Sequence, residues 1–518
     1  MTDRISPQRC LSPARRLLLG GVAVALIVPP AGADTLREAL VKAYNTNPTL
    51  NAQRAAQRAN DENVPIARAS GLPSISANGN YTENLSDSSS NAASSSNSFA
   101  SPARQILSSA NLSIPIFSGG AVRNSVAAAR VRVDAGRDTL RGTEGDLFTA
   151  VVGAYMDVIR DEAIVSLNLQ NVHVLDVNLQ ASKDRFQVGD LTRTDVAQSD
   201  ARLAVARSQL QTAQSRLIGS RENYIRLVGS APANLEAPPA LPNLPSSPDT
   251  AVDVALKDNP TLLAAQKNRD ATRFDVDVAR AQRLPKLSVV VGGNYYNYLG
   301  SLGAGTGVRV GQAGTSTTAG VALTVPLFQG GRPAAEVRQA QALRGQAIER
   351  ATDAERTVIS DARSAYAVWQ SSLEVIASSE TAVSANKLSL EGVRAENSVG
   401  NRTILDILNA EQELLNSQVT LVTAQRDAYV AGFALLAAMG HAEARDLGLD
   451  GGALYDPVAH FNSVQHRISD WSDGPAPKPV GTSTVGTPAQ NANVTTKLDP
   501  LLTTPVDTDT PNPPIAPK

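Results

Sequence analysis

Cysteine is almost missing from this chain: there is one, Cys10, in 518 residues. That excludes a disulfide framework and a cysteine-held metal cluster. Methionine (three), tryptophan (two) and aromatics as a class (4%) are also scarce, so bulky side chains cannot fill a large globular core. The four histidines, His173, His441, His460 and His466, stand apart without metal-ligand spacing. The net charge is −2, which leaves no basic excess to hold nucleic acid. No nucleophile–base or acid–base set can be assembled, which argues against an enzyme, and nothing asks for a cofactor. Beyond residue 33 no apolar run approaches ~18 residues, so no membrane-crossing helix is expected. Much of the 42% hydrophobic content is alanine and valine, which suits helices packed closely with thin seams.

The first 33 residues have a different character. Arg4, Arg9, Arg15 and Arg16 precede the apolar run Leu17 to Val28, and Ala31-Gly32-Ala33 follows it. This pattern predicts a secretory signal peptide over 1–33, cut before Asp34. The run is too short to cross ~30 Å of hydrocarbon. Cys10 precedes it and would leave with it, so it is no lipid attachment site.

The remainder repeats itself. Asn47-Pro48-Thr49-Leu50 recurs at Asn259-Pro260-Thr261-Leu262, and Leu72-Pro73 recurs at Leu284-Pro285. Pro115-Ile116-Phe117-Ser118-Gly119-Gly120 recurs at Pro326-Leu327-Phe328-Gln329-Gly330-Gly331, and Val188-Gly189 at Val399-Gly400. An offset held near-constant across the chain marks a duplication. The expected organisation is a first repeat over 34–229, a Pro-rich linker over 230–248 and a second repeat over 249–440. A belt segment is expected over 441–473, and the Pro/Thr composition predicts a disordered tail over 474–518.

Each repeat reads as helix, two strands, long helix, short helix. Val196, Leu203, Leu210, Leu217 and Tyr224 recur every seventh residue, shadowed by Ser199, Ala206, Ala213, Ser220 and Leu227. Ile407, Leu414, Leu421, Ala428 and Leu435 repeat the pattern, so both segments predict coiled coils. The long helix is expected over Ala121 to Gln187, ~100 Å, reversing at Val188-Gly189. The opening helix, about Leu36 to Ser70, and the returning one, about Thr194 to Val228, are each half that length. Stacked end to end they match the long rod, so one chain supplies four rods. The strands alternate apolar and polar residues, as in Ile75, Ala77, Gly79 and Tyr81 against Ser74, Ser76, Asn78 and Asn80. Long polar loops, Asn84 to Ser101 and Leu299 to Thr317, lie on one side only. This suits a membrane barrel with a wet lumen. Four strands cannot close, whereas three copies give twelve strands and twelve rods. A coiled-coil scaffold without a channel, or a periplasmic adaptor, would explain the heptads but not the paired strands.

The repeated Asn-Pro-Thr-Leu, the Pro-hydrophobic-Phe-x-Gly-Gly corners and above all Val399-Gly400-Asn401-Arg402-Thr403-Ile404-Leu405-Asp406-Ile407-Leu408 resemble the TolC family of outer-membrane efflux proteins. The resemblance covers about Leu36 to Gly440. It implies long coiled-coil hairpins plus membrane strands, in a homotrimer with a twelve-strand outer-membrane β-barrel continued by a periplasmic α-helical tunnel. It implies contact with outer-membrane lipid, and docking through a periplasmic adaptor to an inner-membrane transporter of the RND, MFS or ABC type. The cargo would be drugs, other small molecules or type I secreted proteins. By the same resemblance Asp406 belongs to an acidic ring at the entrance, with Asn409 at a second position where the family is acidic. Thr194, Asp195, Asn397 and Arg402 match a polar latch near the tips, Asn397 standing where a tyrosine is expected. Gly189 and Gly400 form the hairpin turns. Asp195 and Asp406 also lie where any aspartate is favoured by a helix N-terminus.

Overall fold

The computed structural model describes residues 34–85, 102–302, 311–449, 454–494 and 498–503. The predicted signal peptide, most of the first long polar loop and residues 303–310 of the second lie outside them. The opening helix is three helices rather than one: α1 (Leu36–Thr46), α2 (Pro48–Asp61) and α3 (Asn63–Ala69). Then come β1 (Ser74–Glu83), β2 (Arg104–Phe117), α4 (Ala121–Gln187) and α5 (Arg193–Val228). The second repeat gives α6 (Pro248–Asp258), α7 (Pro260–Ala281), β3 (Lys286–Asn297), β4 (Ala313–Thr324), α8 (Arg332–Ser398) and α9 (Ile404–Ala438). A short α10 (Pro457–Val464) follows.

The Asn-Pro repeat explains the extra break. A residue before proline is pushed out of the helical region, and Asn47 sits at φ −66°, ψ 126°. Its Oδ1 accepts from the amides of Thr49, at 2.9 Å, and Leu50, capping α2. Its Nδ2 donates to Leu227 O at 2.9 Å, in the last turn of α5. Asn259 does the same between α6 and α7, capping Thr261 and donating to Ala438 O at the end of α9. One side chain therefore splices the short helices end to end into a rod. Gly440 stands at φ +82°, and a Cβ there would meet Asp258 O at 2.5 Å, so only glycine fits the second splice.

The predicted seams are buried. Leu203, Leu217 and Tyr224 on α5, and Leu414, Leu421 and Leu435 on α9, are all at most 2% exposed. The main core lies midway along the rods, where Phe148, Val151, Tyr155 and Val158 of α4 meet Leu40, Ala43 and Leu50. The Tyr155 hydroxyl, shut in there, donates to the carbonyls of Asp34 and Glu236.

The four strands form one antiparallel sheet in the order β1-β2-β3-β4. Register sorts the faces: Ile75, Leu112, Val291 and Ala319 align across one row, and Ser76, Asn111, Gly292 and Thr318 across the next. One face is thus mainly apolar and the other mainly polar. Ile75 (77% exposed), Val321 and Leu323 have no protein over them. Among the described residues the outer edges of β1 and β4 are unpaired.

Residues 443–449 and 454–466 pack against the rods. Arg54 of α2 lies 4.3 Å from the Tyr44 ring and 5.1 Å from Tyr455, Arg137 of α4 lies 5.1 Å from Phe461, and Arg141 pairs with Glu443 at 2.6 Å. The disorder expected from 474 onward does not hold for 481–494 and 498–503. These residues form no helix or strand but lie along the rods, with Ala492 and Val494 against the main core and Leu502 buried in a second cluster. Average composition hid this, because a few spaced apolar residues and backbone carbonyls are enough to seat a segment in a groove.

Candidate functional site

The two hairpin tips share one construction. The α4 helix ends at Val188, and Gly189, at φ +84°, turns the chain back. The amides of Gly189 and Asp190 close onto the carbonyls of Phe186 and Arg185 at 3.0 and 2.9 Å. At the second tip Gly400, at φ +83°, and Asn401 do the same onto Asn397 and Glu396. These bonds satisfy carbonyls that a helix end leaves open, and the positive φ is why glycine is needed.

Both returning helices start with a capping box. Asp195 Oδ2 accepts from Thr192 N and Oγ1 at 3.0 and 2.7 Å, and Asp195 N donates to Thr192 Oγ1 at 3.3 Å. Asp406 Oδ2 accepts from Thr403 N and Oγ1 at 2.9 and 2.8 Å, and its amide donates back at 3.3 Å. The Thr192 hydroxyl bond holds Asp195 below the usual carboxylate range, and the Thr403 amide bond does so for Asp406. Both aspartates are therefore firmly ionised helix starters.

The remaining predicted residues divide. Asn397 and Arg402 come together, since Asn397 Nδ2 donates to Arg402 O at 2.7 Å. The Arg402 guanidinium pairs with Glu396 at 2.7 Å, inside its own hairpin, and does not reach Thr194 or Asp195 of the same chain. Arg185–Asp190, at 2.6 Å, is the matching pair of the first tip. Asn409 Oδ1 accepts from Arg202 Nη2 at 2.7 Å, which joins α9 to α5. Thr194 stays exposed in the first turn of α5.

A buried polar node just above the second tip escaped the sequence reading. Glu411 of α9 accepts from Arg394 Nη2 of α8 and from Asn178 Nδ2 of α4, each at 3.0 Å. Its side chain is 5% exposed, and burial pushes its carboxyl up despite both donors. Asn178 and Glu411 thereby tie the second hairpin to the first. The signal was present: Glu411 and Gln418 interrupt the stripe Leu408, Leu415, Val422 at heptad spacing. Charge in a buried stripe calls for a partner on a facing helix.

Among the described residues no helix is long and apolar enough to cross a membrane. No group of three possible metal ligands occurs among them either; His460 faces Asp61 and His441 faces Asp258. The surface with membrane character is the sheet. The sequence profile of outer membrane efflux proteins matches residues 39–230 and 251–441, one stretch in each repeat.

The chain belongs to the outer membrane efflux protein family.

It is 33% identical over 461 residues to the outer membrane efflux protein BepC of Brucella suis, covering 88% of this chain and 95% of that one. It is 26% identical over 423 residues to the outer membrane protein TolC of Vibrio cholerae, covering 80% and 92%. Among solved structures, the CmeC outer membrane channel of Campylobacter jejuni superposes with a TM-score of 0.68 at 16% identity, covering 84% and 90%. That last likeness establishes the fold. As an outer-membrane efflux protein, the chain places its sheet in the outer membrane and its rods in the periplasm. The sheet supplies barrel wall, its apolar face to lipid and its polar face to the lumen. The tips, ~100 Å from the sheet along α4, form the far end of the duct.

Proposed function

We propose that three copies close into one duct, the exit channel of a tripartite export system, which takes its cargo from an inner-membrane transporter through a periplasmic adaptor. The observation that carries the trimer is the contrast between two helices of equal length. The α4 helix buries 24 of its 67 residues, whereas α8 buries seven of 67. Leu343, Ile348, Val368, Leu373 and Leu388 of α8 are left at 42–71% exposure. A long helix with exposed large apolar side chains, in a chain that also leaves a strand edge unpaired, fits a head-to-tail neighbour. The chain would perform no covalent chemistry in this role.

The entrance is the ring of tips. Asp406 has Oδ2 occupied by Thr403, so Oδ1 remains for the pore. Three such carboxylates around one axis repel each other, and an entering cation relieves the repulsion. Asn409 makes the ring weaker than a doubly acidic one. Thr194, Asp195, Asn397 and Arg402 line the flanks of the tips, where a neighbouring copy would meet them. Planar-bilayer recording tests this entrance. Asp406→Ala should lower cation selectivity and weaken block by multivalent cations. Arg402→Ser should remove the charge-assisted bond to Glu396 and raise conductance by loosening the closed tip. If Asp406→Ala leaves selectivity and block unchanged, Asp406 only starts its helix.

A further inference from the structure

One stretch of the chain leaves the rods close to the sheet. His460 faces Asp61 of α2 at 3.1 Å, and Phe461 packs on Val64, Ala129 and Val133. Arg68, in the last turn of α3, then donates to Gln465 O at 3.3 Å and lies 2.6 Å from His466 Nδ1. The chain returns to the rods at Gly481, where a Cβ would stand 3.2 Å from Thr46 O and from Pro48 Cγ. Between these points, residues 467–480 form no helix or strand. Arg467 donates to Ser472 Oγ across a bend, and the bend presents Ile468 at 73% and Trp471 at 96% exposure.

Depth decides what such a bend meets. Strands of 10–14 residues rise ~25–35 Å at ~3.3 Å per residue and a tilt of ~40°. The apolar band of an outer-membrane barrel is ~25 Å tall, so the strand ends stand at its borders. At the lower end Ile116, Phe117, Leu327 and Phe328 are 51–93% exposed, which carries apolar surface down to the start of the rods. Gly71 marks that level, because a Cβ there would stand 2.8 Å from Val122 Cγ1 at the head of α4. Arg68 lies three residues earlier, about one helical turn or ~5 Å lower. The headgroup layer is ~5–7 Å deep on each side of the hydrocarbon, so the root of the bend already sits at headgroup depth.

We propose that the bend 467–473 is a membrane-interface anchor, with Ile468 and Trp471 set among the headgroups and upper acyl chains of the periplasmic leaflet. Tryptophan favours this layer, because its ring is apolar while its indole N–H stays wet. The chain has two tryptophans, and the other is placed elsewhere: Trp369 packs edge-on to Tyr366, ~55 Å along α8 from the sheet. The apolar pair supplies the grip, not attraction to anionic lipid, since Arg467 is outnumbered by Asp470 and Asp473. Lipid is the occupant because the bend continues the lipid-facing band of the sheet at the same depth. The anchor fixes α10, and through Arg68 the rods, at one height in the membrane. It rests on the placement of the sheet in the outer membrane and not on the tip residues.

The test is tryptophan quenching in the full-length channel, reconstituted in phosphatidylcholine vesicles and recovered by flotation with them. Replacing part of the lipid with phosphatidylcholine brominated on its upper acyl chains should quench the Trp471 emission. Trp471→Phe should abolish the quenching, and the remaining Trp369 emission should be as bright in brominated as in plain vesicles. Trp369→Phe should keep the quenching; should that variant fail to fold, the parent and Trp471→Phe decide between them. Unquenched Trp471 emission overturns the anchor, whether at the long wavelength of a ring in water or the short wavelength of a ring covered by a neighbouring copy. Quenching that survives Trp471→Phe overturns it as well. Asp406→Ala and Arg402→Ser should leave quenching unchanged. If they alter conduction while the parent shows no quenching, the entrance stands and the anchor falls; if quenching holds and they alter nothing, the anchor stands and the entrance residues are misassigned.

Discussion

At the scale of single residues, the tips show one side chain meeting two demands. Asp406 closes a capping box with one oxygen and leaves the other free. Thr403→Ala removes the hydroxyl from that box and should cost about 1 kcal/mol of local stability. Hydrogen exchange at the amides of Ile404 to Ile407 reads this directly, as faster exchange in the first turn of α9. The same box predicts a pH effect. The folded-state pKa of Asp406 is lowered, so its contribution is fully present above the ordinary carboxylate range and is lost as pH falls below it. First-turn protection in α9 should therefore fade on acidification, and Thr403→Ala should flatten that dependence. An acid-independent first turn in the parent protein would contradict the assignment. The capping role was legible from an aspartate three residues after a threonine at a turn. The partners of Arg402 and Asn409 were not, because Glu396 and Arg202 meet them only through the hairpin geometry and the facing of α5 and α9.

At the scale of elements, periodicity carried most of the information. Heptads on α5 and α9 named the buried seams, since a coiled coil repeats its contacts in register with its sequence. Leu217→Ala deletes a fully buried side chain and should destabilise the fold by about 2–5 kcal/mol. The control is Val205→Ala at an exposed position of the same helix, which should cost little, and comparative thermal unfolding of the two reads the difference. Equal shifts would mean that the seam is misplaced. The Asn-Pro repeat was visible as a repeat, but its meaning was not. Asn47→Ala should loosen the joint between α2 and α5, because it removes both a cap and the bond to Leu227 O. Trypsin sensitivity rising first at the α2–α5 junction would show it. The seating of 481–494 and 498–503 on the rods was hidden in the sequence for the opposite reason. The grip comes from isolated leucines and main-chain carbonyls, which leave no period in the sequence.

At the scale of the whole molecule, a single chain is an incomplete object. Its described residues carry an open four-stranded sheet with one apolar face, and a long helix, α8, that buries only seven of its 67 residues. The sequence pointed to the open sheet, because strand count and rod count can be read without coordinates; the bareness of α8 emerged only from the packing. Closure by three copies places every strand edge against another and every rod beside another. The intact mass of the detergent-solubilised protein, released from its micelle without denaturation, tests this central claim most directly. The account predicts one species with the mass of three processed chains. A species with the mass of a single chain, still folded, would contradict it.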